Sequence, residues 1–77
     1  MNFQELETEL SVIGTVDYCG YNGENTNSII IAISDFNNTS SNVNAYNNII
    51  SNRVEPTHPK VENLTIHGNI IKADYRA

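Results

Sequence analysis

With 77 residues, no Trp, one Cys and a net charge of −5, the chain has room for one domain over 1–77 and no means of closing an internal disulfide. The charge is lopsided. Residues 1–52 carry Glu5, Glu7, Glu9, Asp17, Glu24 and Asp35 without a Lys or Arg, whereas Arg53, Lys60, Lys72 and Arg76 outnumber Glu55, Glu62 and Asp74 in the remainder. Such a balance argues against direct nucleic-acid binding, which needs clustered Lys and Arg, and no apolar stretch approaches the roughly 18–20 residues of a membrane span.

A domain this small buries only roughly 60% of its unfolded surface. A partner or a second copy is therefore an expected source of further stability. The lone Cys19 suits a reducing, cytoplasmic setting, and the acidic start, Met1-Asn2-Phe3-Gln4-Glu5, lacks the basic and apolar regions of a secretory signal. The excess of Asn and Ile suggests an AT-rich genome, of a low-GC bacterium, its phages or a virus.

Taken in chain order, Phe3, Leu6, Leu10 and Ile13 recur at helical spacing. Asn2 is a candidate N-cap, and the glutamates suit the positive end of the helix dipole. This predicts a helix over about 3–10. Residues 12–21 then alternate, with Val12, Val16 and Tyr18 on one face and Thr15, Asp17 and Cys19 on the other. Asn22-Gly23 is a hairpin signal. A two-residue turn there pairs Val16 with Ile29, Gly14 with Ile31 and Val12 with Ile33, which turns the apolar face of the first strand toward Ile29, Ile31 and Ile33. In this register Tyr18 is partly core and Tyr21 is free to act as an exposed anchor. The run Ser28–Ser34 is the central strand, apolar enough to be covered on both faces.

Residues 35–42 read as a loop rich in N-cap residues. Val43, Tyr46, Ile50 and Val54 follow as a helical stripe, although Asn44, Asn47, Asn48 and Asn52 are poor helix formers. The prediction is a helix over about 41–53. Pro56-Thr57-His58-Pro59 reads as an extended, solvated linker. Leu64, Ile66 and Ile70 alternate with Thr65, His67 and Asn69, which predicts one strand over about 63–72 with Gly68 at a bulge and Asp74–Ala77 as a polar tail. The expected fold is a small α+β domain, order α-β-β-α-β, with an antiparallel sheet of about three strands. A short parallel β-helix is the alternative. Asn-rich turns alternate with β-branched strands, and Ile33-Ser34-Asp35, Ile50-Ser51-Asn52 and His67-Gly68-Asn69 recur every 17 residues.

No residue set predicts a cofactor, a metal site or catalysis. The four glycines form no phosphate loop. Cys19 has no base or orienting partner placed beside it, and His58 and His67 lack metal-ligand spacing. Glu5 and Glu9 share a helix face, as carboxylates that complement a helix dipole do. The reading is therefore a non-enzymatic protein-binding module. Glu5, Glu7, Glu9, Asp17, Glu24 and Asp35, with Tyr21 as an anchor, would engage a basic protein surface. In size and acidity the chain is similar to many phage-encoded inhibitors of host proteins. Three alternatives stand beside it: a homo-oligomeric structural subunit, a small enzyme whose site would unite Cys19, a His and a carboxylate, and an acidic surface that serves solubility alone.

Overall fold

The computed structural model describes residues 2–77. Two helices lie on one face of a four-stranded antiparallel sheet. The elements are α1 (Phe3–Leu10), β1 (Thr15–Asn22), β2 (Asn25–Ser34), α2 (Ser40–Arg53), β3 (Lys60–His67) and β4 (Ile70–Arg76). The fold is α+β, in the order α-β-β-α-β-β. The sheet runs β1-β2-β4-β3, a continuous antiparallel layer with no stack of coils.

α1 starts where predicted because Asn2 Oδ1 accepts from the Glu5 backbone N–H at 3.1 Å. Leu6 and Leu10 are its buried stripe. In α2 the Thr39 hydroxyl accepts from the Asn42 N–H at 3.2 Å, and Tyr46, Ile50 and Val54 turn inward. These side chains meet Ile29, Ile31 and Ile33 of β2 and Ile71, Ala73 and Tyr75 of β4 in one apolar core. At its centre Tyr46 and Tyr75, both almost fully buried, share a hydrogen bond between their hydroxyls. Burial pushes both phenols up, that of Tyr75 to about 12. Such a pair keeps two polar atoms satisfied where water cannot reach them.

The β1–β2 hairpin differs from the expected register. Val16 pairs with Ile33, Cys19 with Ile31 and Tyr21 with Ile29, with irregularities at Asp17 and between Tyr21 and Asn22. The two turn positions are Gly23 and Glu24, and Gly23 has φ +59°. That is the mark of a type II′ turn rather than the type I′ turn centred on Asn22-Gly23. The extra residue at Asp17 exchanges the faces of β1 beyond it. Tyr18 therefore points to the open face and is 47% exposed, whereas Cys19 and Tyr21 pack against the core. Val12 lies outside the strand and is 83% exposed.

The C-terminal third is a hairpin, where a single strand was expected. Gly68 (φ +58°) and Asn69 form its turn. The bulge lies earlier, between Glu62 and Thr65, where Asn63 adopts φ +54°. Ile71 rather than Ile70 enters the core, and the expected polar tail is an inner strand whose Ala73 and Tyr75 face inward. His58 is buried, not solvated. Its Nε2 lies 3.0 Å from the Thr26 carbonyl, which can only accept, so Nε2 carries a proton. Its Nδ1 lies 3.1 Å from Thr57 Oγ1. The ring thus ties the α2–β3 connection to the start of β2.

Both helices cover the same face of the sheet, so Ile30 and Ala32 lie on an open one. Part of that face is shielded by its own side chains. Tyr18 folds along its strand over Gly20, with its hydroxyl donating to the Tyr21 carbonyl. Ser28, fully buried, donates to Asp74 Oδ1 at 2.7 Å. Arg76 bridges Asp74 and Glu62 at 2.9 and 3.1 Å.

Candidate functional site

The acidic residues separate into an ion-paired set and an unpaired set once the helices and strands are in place. Glu5 and Glu9 lie one turn apart on α1 and face the end of α2. Arg53, in the last turn of α2, reaches both: Nη1 lies 3.1 Å from Glu5, and Nη2 lies 2.9 Å and Nε 3.2 Å from Glu9. The planar guanidinium matches the Glu9 carboxylate bidentately. Arg53, by its hydrogen bonds and its charge, holds the Glu9 carboxyl below the usual carboxylate range. On the open face, Ser28 and then Arg76 hold Asp74 low as well.

These two carboxyls set an acid dependence. A carboxyl whose pKa is depressed on folding favours the folded state while it is ionised, and that contribution is lost as pH falls through the depressed value. The thermal midpoint is therefore expected to fall as pH drops below the ordinary carboxylate range. Arg53→Met should lower the midpoint at neutral pH and flatten that acid dependence. The difference should shrink in high salt, because the pair is solvent-exposed. Scanning calorimetry of both proteins across pH and salt would measure this, and superimposable pH curves would contradict it.

Glu7 faces another way. Burial, with the charge of Glu7 added, raises the Cys19 thiol to about 11, which favours the thiol over the thiolate at neutral pH. Asp17 and Asp35 lie at one end of the sheet, joined through the Thr15–Ser34 rung. Ser34 Oγ donates to Asp17 at 3.1 Å, and Thr15 Oγ1 donates to Asp35 at 3.4 Å. Asp35 adopts φ +51° there, a left-handed conformation that Asp tolerates better than most residues. Glu24 sits apart in the β1–β2 turn. Tyr21 stacks edge-on against Phe3, with ring centroids 4.8 Å apart, so its apolar surface is used within the fold.

Of the seven residues singled out from sequence, the structure thus brings Glu5 and Glu9 together through Arg53, and Asp17 near Asp35. It leaves Glu7 and Glu24 on their own. Among the described residues, Glu7, Asp17, Glu24, Asp35 and Glu55 have no Lys or Arg within ion-pair distance. No group of three or more metal-ligating side chains occurs among them either.

Two features were missed from sequence. One is the exposed ring of Tyr18, which the bulge at Asp17 turns outward. The other is a groove of about 500 Å³ between α2 and β3, lined by Asn44, Asn47, Asn48 and Ser51 on one side and Val61 and Leu64 on the other. In the sequence the asparagines stand out only as poor helix formers within the expected helix, not as one wall of a groove. Of the opposite wall, Leu64 falls inside the strand expected over about 63–72, whereas Val61 lies before it. Comparison with protein-family models, curated proteins and solved structures gave no match.

Proposed function

We propose that this chain is a non-enzymatic protein-binding module that engages a basic surface on its partner. The observation that carries the reading is the set of carboxylates without an internal cation, Glu7, Asp17, Glu24 and Asp35, all within the α1–β2 part of the chain. Glu5 and Glu9 remain on the rim, but Arg53 already balances part of their charge. Tyr18 replaces Tyr21 as the aromatic available for contact, beside Asp17 on the first strand. Opposed charge of this kind speeds encounter and selects partners more than it deepens affinity. In its narrower form the reading is an inhibitor that occupies a basic surface of a host protein in the cytoplasm, and it rests on size, acidity and the single reduced Cys.

The test is affinity purification of the partner from source-cell extract at low salt, followed by titration of the purified pair. Dissociation constants should rise at least about tenfold between roughly 50 and 500 mM salt. The double reversal Asp17→Lys with Glu24→Lys should weaken binding further. Affinity indifferent to salt and to both reversals would overturn the reading.

One observation favours a second reading, self-assembly as a structural subunit. The open sheet face carries Tyr18 and Ile70, 47% and 45% exposed, with Ile30 and Ala32 half-buried between β1 and β4. Both edge strands are interrupted, β1 at Asp17 and β3 at Asn63–Leu64, a device that discourages edge-to-edge pairing. Assembly would therefore use the face. A concentration-independent monomer in sedimentation velocity would remove this reading.

A further inference from the structure

We propose that the groove between α2 and β3 is a docking site for an extended peptide segment of a protein partner, in which an aliphatic side chain is flanked by Lys or Arg. This rests on reading the chain as a protein-binding module, but it uses none of the four carboxylates that carry that reading.

The two walls of the groove have different chemistry. On α2, Asn44, Asn47 and Ser51 are spaced at intervals of three and four and lie along one side of the helix. Asn is a poor residue for a helix interior, since its amide competes for backbone hydrogen bonds. α2 tolerates these residues because Tyr46, Ile50 and Val54 hold its other side in the core. Each amide offers both a donor and an acceptor, the complement of a peptide unit.

On β3, Val61 and Leu64 are 42% and 43% exposed. Val61 pairs with the core residue Tyr75 and so lies on the helix-covered face. It is left open because the sheet extends one strand beyond the cover of α2. This is apolar surface set in a concavity rather than scattered over a convex face, and it suits one aliphatic side chain.

Glu55 supplies the charge complementarity that selects the occupant. Among the described residues it is the only charged side chain lining the groove. It has no Lys or Arg partner among the described residues. It lies close enough to Tyr75 at the groove floor to help hold that phenol un-ionised. A cationic side chain entering beside it gains an ion pair, and an anionic one is repelled. The bulge at Asn63–Leu64 breaks the regular backbone ladder of β3, so the amide wall of α2 rather than strand addition provides for the peptide backbone.

The experiment is a 15N-edited NMR titration of the full chain with two blocked hexapeptides, acetyl-Gly-Lys-Leu-Lys-Val-Gly-amide and its counterpart with Glu for both Lys. The basic probe should shift the resonances of Asn44, Asn47, Ser51, Val61 and Leu64, and the acidic probe should bind at least about fivefold more weakly. Leu64→Lys, at an exposed position, should weaken the basic probe about tenfold, and Val61→Lys serves the same purpose should Leu64→Lys alter the spectrum globally. Glu55→Gln should largely abolish the preference between probes. Asp17→Lys with Glu24→Lys should leave these shifts in place, which separates this site from the acidic surface. No shifts up to millimolar peptide, equal binding of both probes, or shifts that survive Leu64→Lys and Val61→Lys would each overturn the proposal.

Discussion

Ile31→Ala should cost about 2–5 kcal/mol, while Ile30→Ala, one residue away, should cost about 1 kcal/mol or less. Ile31 is fully buried between Cys19 on one neighbouring strand and Ala73 on the other, beneath the helices. Truncating it opens a cavity in the only well-covered face of the sheet. Ile30 has the same side chain in the same strand, but it lies on the open face between Gly20 and Asp74. A domain of this size has a total stability of about 4–12 kcal/mol, so Ile31→Ala brings it close to unfolding at ambient temperature. Urea denaturation of the pair measures the difference, and equal losses would mean that the strand is covered on both faces.

Gly14→Ala should cost about 1–3 kcal/mol, although Ala is ordinarily a mild replacement in a connecting segment. A β-carbon at residue 14 would lie 2.6 Å from Ile33 Cγ2 and 2.9 Å from the Ser34 carbonyl oxygen. The second contact is with backbone, so no rotamer change relieves it. The segment from α1 into β1 must move away from the end of β2, and Ile33 loses packing in the process. The loss should appear as a lowered urea midpoint with an unchanged denaturant slope. Retained stability would mean that this close approach is not maintained in solution.

Sequence reasoning located the parts of this fold whose signals are local. Both helices begin within a residue of the expected position, since N-caps and apolar spacing act within a few residues. The inward set of β2, Ile29, Ile31 and Ile33, follows from pairing that uninterrupted apolar run with the apolar face of the first strand, and it holds in a different register because Val16 still meets that face, opposite Ile33. The register of β1 itself was not legible, because one extra residue at Asp17 inverts the faces of residues 18–22 and leaves no mark on the alternation. Tyr18 and Tyr21 changed places for that reason. The last hairpin was obscured differently. Ile71, Ala73 and Tyr75 alternate with Lys72, Asp74 and Arg76, but the polar half made the segment read as a tail, and a two-residue turn at Gly68-Asn69 resembles a bulge. The acidic residues could be counted from sequence. Their division into paired and unpaired sets depends on where the end of α2 meets α1, and no local pattern encodes that meeting of Arg53 with Glu5 and Glu9.

The place of β4 between β2 and β3 has a consequence for the order of events during synthesis. It is the last of the six elements to leave the ribosome, yet it is an inner strand, bonded on both sides. Until it emerges, β2 has an unpaired edge along Ser28–Ile33, and the Tyr46 hydroxyl lacks the one from Tyr75. The nascent chain can form α1 and the first hairpin early, but the sheet closes only as residues 70–76 arrive. A ribosome stalled before β4 would therefore hold a chain with a sticky, half-built sheet.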